Sequence, residues 1–179
     1  AILLPLCGAV GILLTGSRPN LRESITIATS LLTFVVVATL VEAVMGGARP
    51  ELVVMAVMPG VPMAFVVEPL GMLYALVASG LWIPTGLYAI GYCRAHHEQN
   101  QTRFFVCFAL AIFSALGIAF SGNMFTLFVF YEMLTFSTSP LVTHYGDGEA
   151  RRAGRIYLGM LLGTSGAFML FAILWTWHL

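Results

Sequence analysis

Residues 104 to 146 read FFVCFALAIFSALGIAFSGNMFTLFVFYEMLTFSTSPLVTHYG, with one formal charge, Glu132, in the whole stretch. A membrane span needs about 20 mostly apolar residues to cross a hydrocarbon core of about 30 Å, so this stretch is too long for one helix. Its break signal is Ser121-Gly122-Asn123, which divides it into helices over about 103–120 and about 123–142. Working outward, residues 1–17, 24–41, 69–93 and 156–179 carry no formal charge at all. The 179-residue chain has eight arginines, no lysine and eight acidic residues, and is 59% hydrophobic against 9% charged. That imbalance marks a chain whose main solvent is lipid. The expected fold is therefore an all-α integral membrane protein of about six transmembrane helices.

The first helix covers about 1–16 and the second about 24–46, with Gly16-Ser17-Arg18-Pro19-Asn20 as the turn of a helical hairpin. The first run lacks a basic start and a cleavage site, so it reads as a span and not a signal peptide. Between 47 and 68, Gly46-Gly47, Arg49-Pro50 and Pro59-Gly60-Val61-Pro62 lie too close together for a membrane helix. Leu52 to Met58 and Met63 to Val67 form either a short β-hairpin on the outer membrane surface or an irregular loop. The third helix runs from about Pro69 to Tyr92 with Pro84 as a kink, and the sixth from about 150 to 177. The chain thus divides into helices 1 and 2 (1–46), an extracytoplasmic loop or hairpin (47–68), and helices 3 to 6 (69–179). Ala1 already lies in an apolar run and Leu179 follows one, so the sequence reads as a fragment.

Seven of the eight arginines fall in the odd-numbered loops: Arg18, Arg22, Arg94, Arg103, Arg151, Arg152 and Arg155. By the positive-inside rule those loops are cytoplasmic, both ends of the fragment lie outside, and the location is the cell's inner (plasma) membrane. Zero net charge argues against a nucleic-acid partner. Cys7, Cys93 and Cys107 have no metal-binding spacing, and the contiguous His96-His97-Glu98 reads as a solvated loop, so no metal is expected. The four histidines fall in loops or at span ends, which disfavours haem, and no nucleotide motif occurs; no cofactor is expected.

Glu132 is the candidate for chemistry. Nine residues past Asn123, at 1.5 Å each, it lies about 13 Å into the bilayer. A charge there costs about 2.5 to 3.5 kcal/mol on insertion scales, so the side chain is expected to face a partner or a wet cavity. A carboxyl group held out of water resists ionisation, the property a proton carrier needs. The bland alternative is a hydrogen bond between helices. Thr135 and Ser139 extend a polar stripe from Glu132, unless their hydroxyls bond back to carbonyls near Pro140. Arg155 is a candidate charge partner or modulator, although arginines there also snorkel to headgroups. His144 is a weaker candidate relay. Gly159, Gly163, Ser165 and Gly166 make a small-residue stripe suited to helix packing.

The run Asn123-Met124-Phe125-Thr126-Leu127-Phe128-Val129-Phe130-Tyr131-Glu132 resembles the fifth helix of the antiporter-like subunits, the proton-translocating subunits shared by complex I (NADH-quinone oxidoreductase L, M and N) and Mrp-type cation/proton antiporters. Phe65 to Leu70, Tyr88 to Tyr92, Arg103-Phe104-Phe105 and Ala150 to Leu158 are similar to that family in the same order, so the resemblance covers about 65–170. It implies that Glu132 pairs electrostatically with a lysine of a seventh helix beyond Leu179. It also implies that Arg155 holds the basic position at the start of helix 6, and that the fragment is the opening third of a bundle of about fourteen helices. Glu68 stands where the family usually has Asp. Leu161 and Thr164 stand where the L-type has Arg and Asp, so the likeness leans to the M-type or the Mrp D-type. The expected function is a proton-translocating subunit of a multisubunit cation/proton antiporter, partnered by other membrane subunits, protons, lipid and, as a second cation, sodium. The rivals are a membrane-arm subunit of a complex I-like or hydrogenase-like redox pump, and a scaffold subunit without an ion path.

Overall fold

The computed structural model describes residues 1–58, 60–143 and 148–178. In chain order these form α1 (Leu3–Leu14), α2 (Pro19–Met45), strands β1 (Glu51–Met58) and β2 (Val61–Val66), α3 (Pro69–Ala95), α4 (Gln101–Ala119), α5 (Met124–Val142), α6 (Gly148–Ser165), a π-helical segment Gly166–Leu170, and α7 (Phe171–His178). The helical membrane fold expected from the sequence is the one observed. Among the described residues five helices are long and apolar enough to cross a membrane, the last being the rod from Arg152 to Trp177. Residues 1–16 were expected to span; α1 has 12 residues, about 18 Å, and falls short of the hydrocarbon thickness by itself.

Helix α2 starts at Pro19, five residues ahead of the expected start. Proline at the first helical position loses no hydrogen bond, because that N–H would be unpaired anyway, so Pro19 opens the helix instead of serving the turn. Arg22 and Glu23 are thereby moved from a loop into a helix and become buried. In α3 the helix continues through Pro84. Two apolar clusters fill the bundle, one around Ile12, Trp82, Phe105 and Ala109, the other around Val37, Met72, Ala75, Leu116 and Phe120.

The segment between α2 and α3 is the hairpin, not the irregular loop. β1 and β2 pair antiparallel from Glu51 on Val66 to Met58 on Val61, with irregularities after Val53 and Ala56. β1 is exposed along Glu51 to Val57, while Val61 and Ala64 of β2 are buried. The reason is that β2 binds the tight connection between α4 and α5. Val66 N–H donates to the Phe120 carbonyl at 2.8 Å and Gly122 N–H to the Ala64 carbonyl at 2.8 Å. Asn123 caps α5, its Oδ1 accepting from Thr126 N–H at 2.8 Å, and its Nδ2 donates to the Pro62 carbonyl at 2.6 Å. Thr126 Oγ1 accepts from Ala64 N–H at 3.1 Å, so the first turn of α5 is tied to the hairpin by side chain as well as backbone.

Helices α4 and α5 approach closely at Gly117, where a Cβ would lie 2.0 Å from the Phe130 ring. Phe130 fills that gap and makes edge contacts with Phe65 of β2 and Phe113 of α4, both at 5.4 Å between ring centres. Gly117→Ala should displace Phe130 and cost about 1 to 3 kcal/mol, the usual range for overpacking. Thermal unfolding of the detergent-solubilised protein checks this; an unchanged midpoint would show that the α4–α5 contact is loose.

Candidate functional site

Glu132 lies midway along α5, two residues beyond Phe130. At 100° per residue the two side chains are about 200° apart, so Glu132 points away from the α4 and hairpin contacts. The opposite face is covered by α6. Thr138 Oγ1 lies 3.4 Å from Tyr157 Oη, and a Cβ on Gly154 would meet Thr143 Cγ2 at 2.2 Å. Continuing that antiparallel register brings Glu132 level with Gly163 to Ser165, directly before the π-helical turn Gly166–Leu170. A π segment loosens regular backbone pairing, and such turns recur at functional sites. Nothing lies within 4 Å of a Cβ built on Gly163, and Ser165 is buried with its hydroxyl bonded back to the Leu161 carbonyl at 2.7 Å.

Both carboxyl oxygens of Glu132 are inaccessible to solvent, and neither has a hydrogen-bond partner among the described residues. Of the polar stripe beside it, Thr135 is buried and bonds back to the Tyr131 carbonyl at 3.2 Å, so its hydroxyl serves the helix and not Glu132. Ser139 is half-buried.

The structure does not bring Arg155 to Glu132. Arg155 is exposed on α6, and because Tyr157 faces α5, a residue two positions earlier is turned about 200° from that contact. The expectation that Arg155 acts as a charge partner is not met by the contacts within these residues. His144 lies outside the described residues. Among the described residues no three His, Cys, Asp or Glu side chains converge as metal ligands.

Sequence reasoning missed a second polar centre at the arginine-rich end of the bundle. Glu23 of α2, with its side chain 9% exposed, is gripped by Arg94 of α3: Nε donates to Oε1 at 3.0 Å and Nη2 to Oε2. Arg94 Nη2 also donates to Asn20 Oδ1 at 2.6 Å. Arg22, buried beside Glu23 at 3.6 Å, donates from Nη1 to Thr102 Oγ1 at 3.1 Å and from Nη2 to Gln101 Oε1 at 2.7 Å, and lies over the Phe105 ring. Three helices are thus tied together at one end. The signal available was an Arg-Glu pair immediately before an uncharged run; its partner lies 71 residues away and no local pattern points to it.

No protein-family model matches the chain. The A1 subunit of the Na(+)/H(+) antiporter of Staphylococcus aureus is 30% identical over 120 residues, 65% of this chain and 14% of that protein. Among solved structures, the membrane-bound sulfane sulfur reductase, an archaeal respiratory membrane complex, superposes with a TM-score of 0.75 at 23% identity, covering 92% of this chain and 33% of that one. The Mrp complex from Dietzia sp. DQ12-45-1b gives 0.69 at 22% identity, covering 92% and 32%. The chain is thus similar in sequence to part of an antiporter subunit and in fold to membrane subunits of these two complexes. It spans 14% of the length of the curated relative and about a third of the structural neighbours. On Leu161 and Thr164 the resemblance leans to the M-type or the Mrp D-type, whereas this relative is by name an A-type subunit. Two positions in a helix that is mostly exposed in this chain discriminate poorly between subunits of one fold.

Removing the carboxylate at the second centre should be costly, because Arg22 would keep its burial and lose its charge partner. Glu23→Ala is expected to lower stability by about 3 to 5 kcal/mol. Unfolding of the purified protein in detergent measures it, and a loss below about 1 kcal/mol, the level of an exposed pair, would contradict a buried network.

Proposed function

We propose that this segment belongs to a proton-translocating subunit of a multisubunit cation/proton antiporter, with Glu132 as the intramembrane proton carrier. The observation that carries the reading is a buried carboxyl group, without a hydrogen-bond partner among the described residues, on a helix long and apolar enough to span the membrane. An unsatisfied carboxyl oxygen in a low-dielectric interior is costly, and the cost is relieved by protonation or by water. A group whose surroundings supply neither a fixed donor nor a fixed cation is free to exchange a proton with such water. The relation to an Na(+)/H(+) antiporter subunit supports the same reading.

Transport then follows from Coulomb coupling. A cation brought near Glu132 favours the carboxylate and its withdrawal favours the acid, so movement of that cation drives uptake on one side and release on the other. The π-helical turn beside Glu132 supports this, since its looser backbone gives α6 and α7 a place to adjust as the charge changes. The positive-inside rule puts the end holding Arg22 and Arg94 in the cytoplasm and the hairpin outside, so α5 runs inward. A second reading, a membrane-arm subunit of a redox-driven pump, is favoured by the fold of the sulfane sulfur reductase neighbour and uses Glu132 in the same way.

Glu132→Gln keeps the volume and removes the exchangeable charge. In vesicles carrying the full-length protein in its complex, proton or sodium flux should fall at least tenfold while the amount of assembled complex is unchanged. Undiminished flux would end the proposal, and lost assembly with retained flux per complex would make Glu132 a structural residue.

A further inference from the structure

The Glu23 network opens onto a groove between α2 and α3 that the transport reading does not use. Its volume is about 580 Å³, and it is lined by Asn20, Glu23, Ser24 and Arg94 at its mouth and by Ile27, Ala28, Leu31 and Ile90 further in. On α2, Asn20, Ser24, Ala28 and Leu31 recur at helical spacings of three and four, so the groove follows one exposed stripe of that helix. The stripe changes from polar to apolar along its length. From Asn20 to Leu31 it descends eleven residues, about 16 Å, or half of a hydrocarbon core of about 30 Å. That is the depth of one leaflet.

The charged residues that line the mouth are Glu23 and Arg94, and a second arginine, Arg22, lies buried behind them against the same carboxylate. The two guanidinium groups differ in access. Arg22 is 5% exposed and its Nη atoms are occupied, whereas the Arg94 side chain is 53% exposed and no described residue accepts from its Nη1. Fixed by its fork to Glu23, Arg94 holds that free nitrogen at the rim of the groove without further ordering cost.

We propose that this groove binds one anionic phospholipid, its phosphate on Arg94 Nη1 with Ser24 and Asn20 beside it, and one acyl chain along Ile27, Leu31 and Ile90. A helix from another protein would match the apolar half, but not an exposed guanidinium nitrogen at headgroup level followed by one leaflet's depth of hydrocarbon. An amphiphile with a negative head matches both. The site stands apart from Glu132, at the arginine-rich end, and the proposal does not rest on the transport reading.

The test is lipid retention by the purified protein in detergent micelles doped with either phosphatidylglycerol or phosphatidylethanolamine, read by native mass spectrometry. One phosphatidylglycerol should be retained at least fivefold more strongly than phosphatidylethanolamine. Ala28→Trp, which fills the groove from an exposed position, should abolish retention, and Ser24→Glu, which adds a negative charge at the mouth, should remove the headgroup preference. Neither variant removes a member of the Arg94–Glu23 pair, and an unchanged melting midpoint for either one validates its result. Equal retention of the two lipids by the unaltered protein, or unchanged retention in the folded variants, would overturn the proposal. So would a cysteine placed at position 28 that crosslinks in native membranes to another subunit, because the groove would then be a protein interface.

Discussion

Hydrocarbon offers a backbone nothing to bond to, so every departure from helix inside a membrane protein must be satisfied by the protein itself. The α4–α5 connection is where that constraint bears hardest, since Phe120 to Asn123 leaves one helix and enters another in four residues. Strand β2 resolves it. It takes the Phe120 carbonyl, supplies the Ala64 carbonyl to Gly122, anchors Asn123 through the Pro62 carbonyl, and donates Ala64 N–H to Thr126. The hairpin is therefore what lets the chain reverse there. Because it fixes the first turn of α5, it also fixes where along the bundle Glu132 sits.

Two carboxylates of this chain are taken out of water, and they meet opposite fates. Glu23 receives a guanidinium fork, a second arginine alongside, and a web of amides around both. Its charge is compensated in place, which suits a clasp joining α2, α3 and α4. Glu132 is given shape but no donor among the described residues. Burial without compensation is what selection removes when a carboxyl group only has to pack, because leucine or glutamine would do that at less cost. Within one bundle, then, one buried carboxyl group has its compensation in place and the other has none among the described residues.

Much of this was legible beforehand, and the rest was hidden for reasons that can be named. Spans declare themselves by long uncharged runs, and the break at Ser121-Gly122-Asn123 was readable because polar and flexible residues interrupt an otherwise unbroken apolar text. The hairpin stood level with a loop because Leu52 to Val57 is exposed and its alternation is blurred by two register irregularities. Pro19 signals both turns and helix starts, and choosing the turn hid Arg22 and Glu23. The Glu23–Arg94 clasp is tertiary, as is the matching of Gly117 to Phe130, and neither follows from spacing along one helix. Arg155 lies on α6, but only the contact of Tyr157 with Thr138 reveals which way that segment faces.

The π-helical turn gains meaning from this geometry. Small residues fill α6 where it passes Glu132, and they divide by face. Gly159 and Gly163 are exposed, so a Cβ on either meets nothing within 4 Å because it points out of the bundle. Ser165, two positions past Gly163 and about 200° round the helix, is buried, with its hydroxyl bonded back to the Leu161 carbonyl at 2.7 Å, and the π turn begins one residue later. The open small-residue face of α6 and its buried face are therefore distinct, and it is the buried one, with Ser165 and the π turn, that passes Glu132.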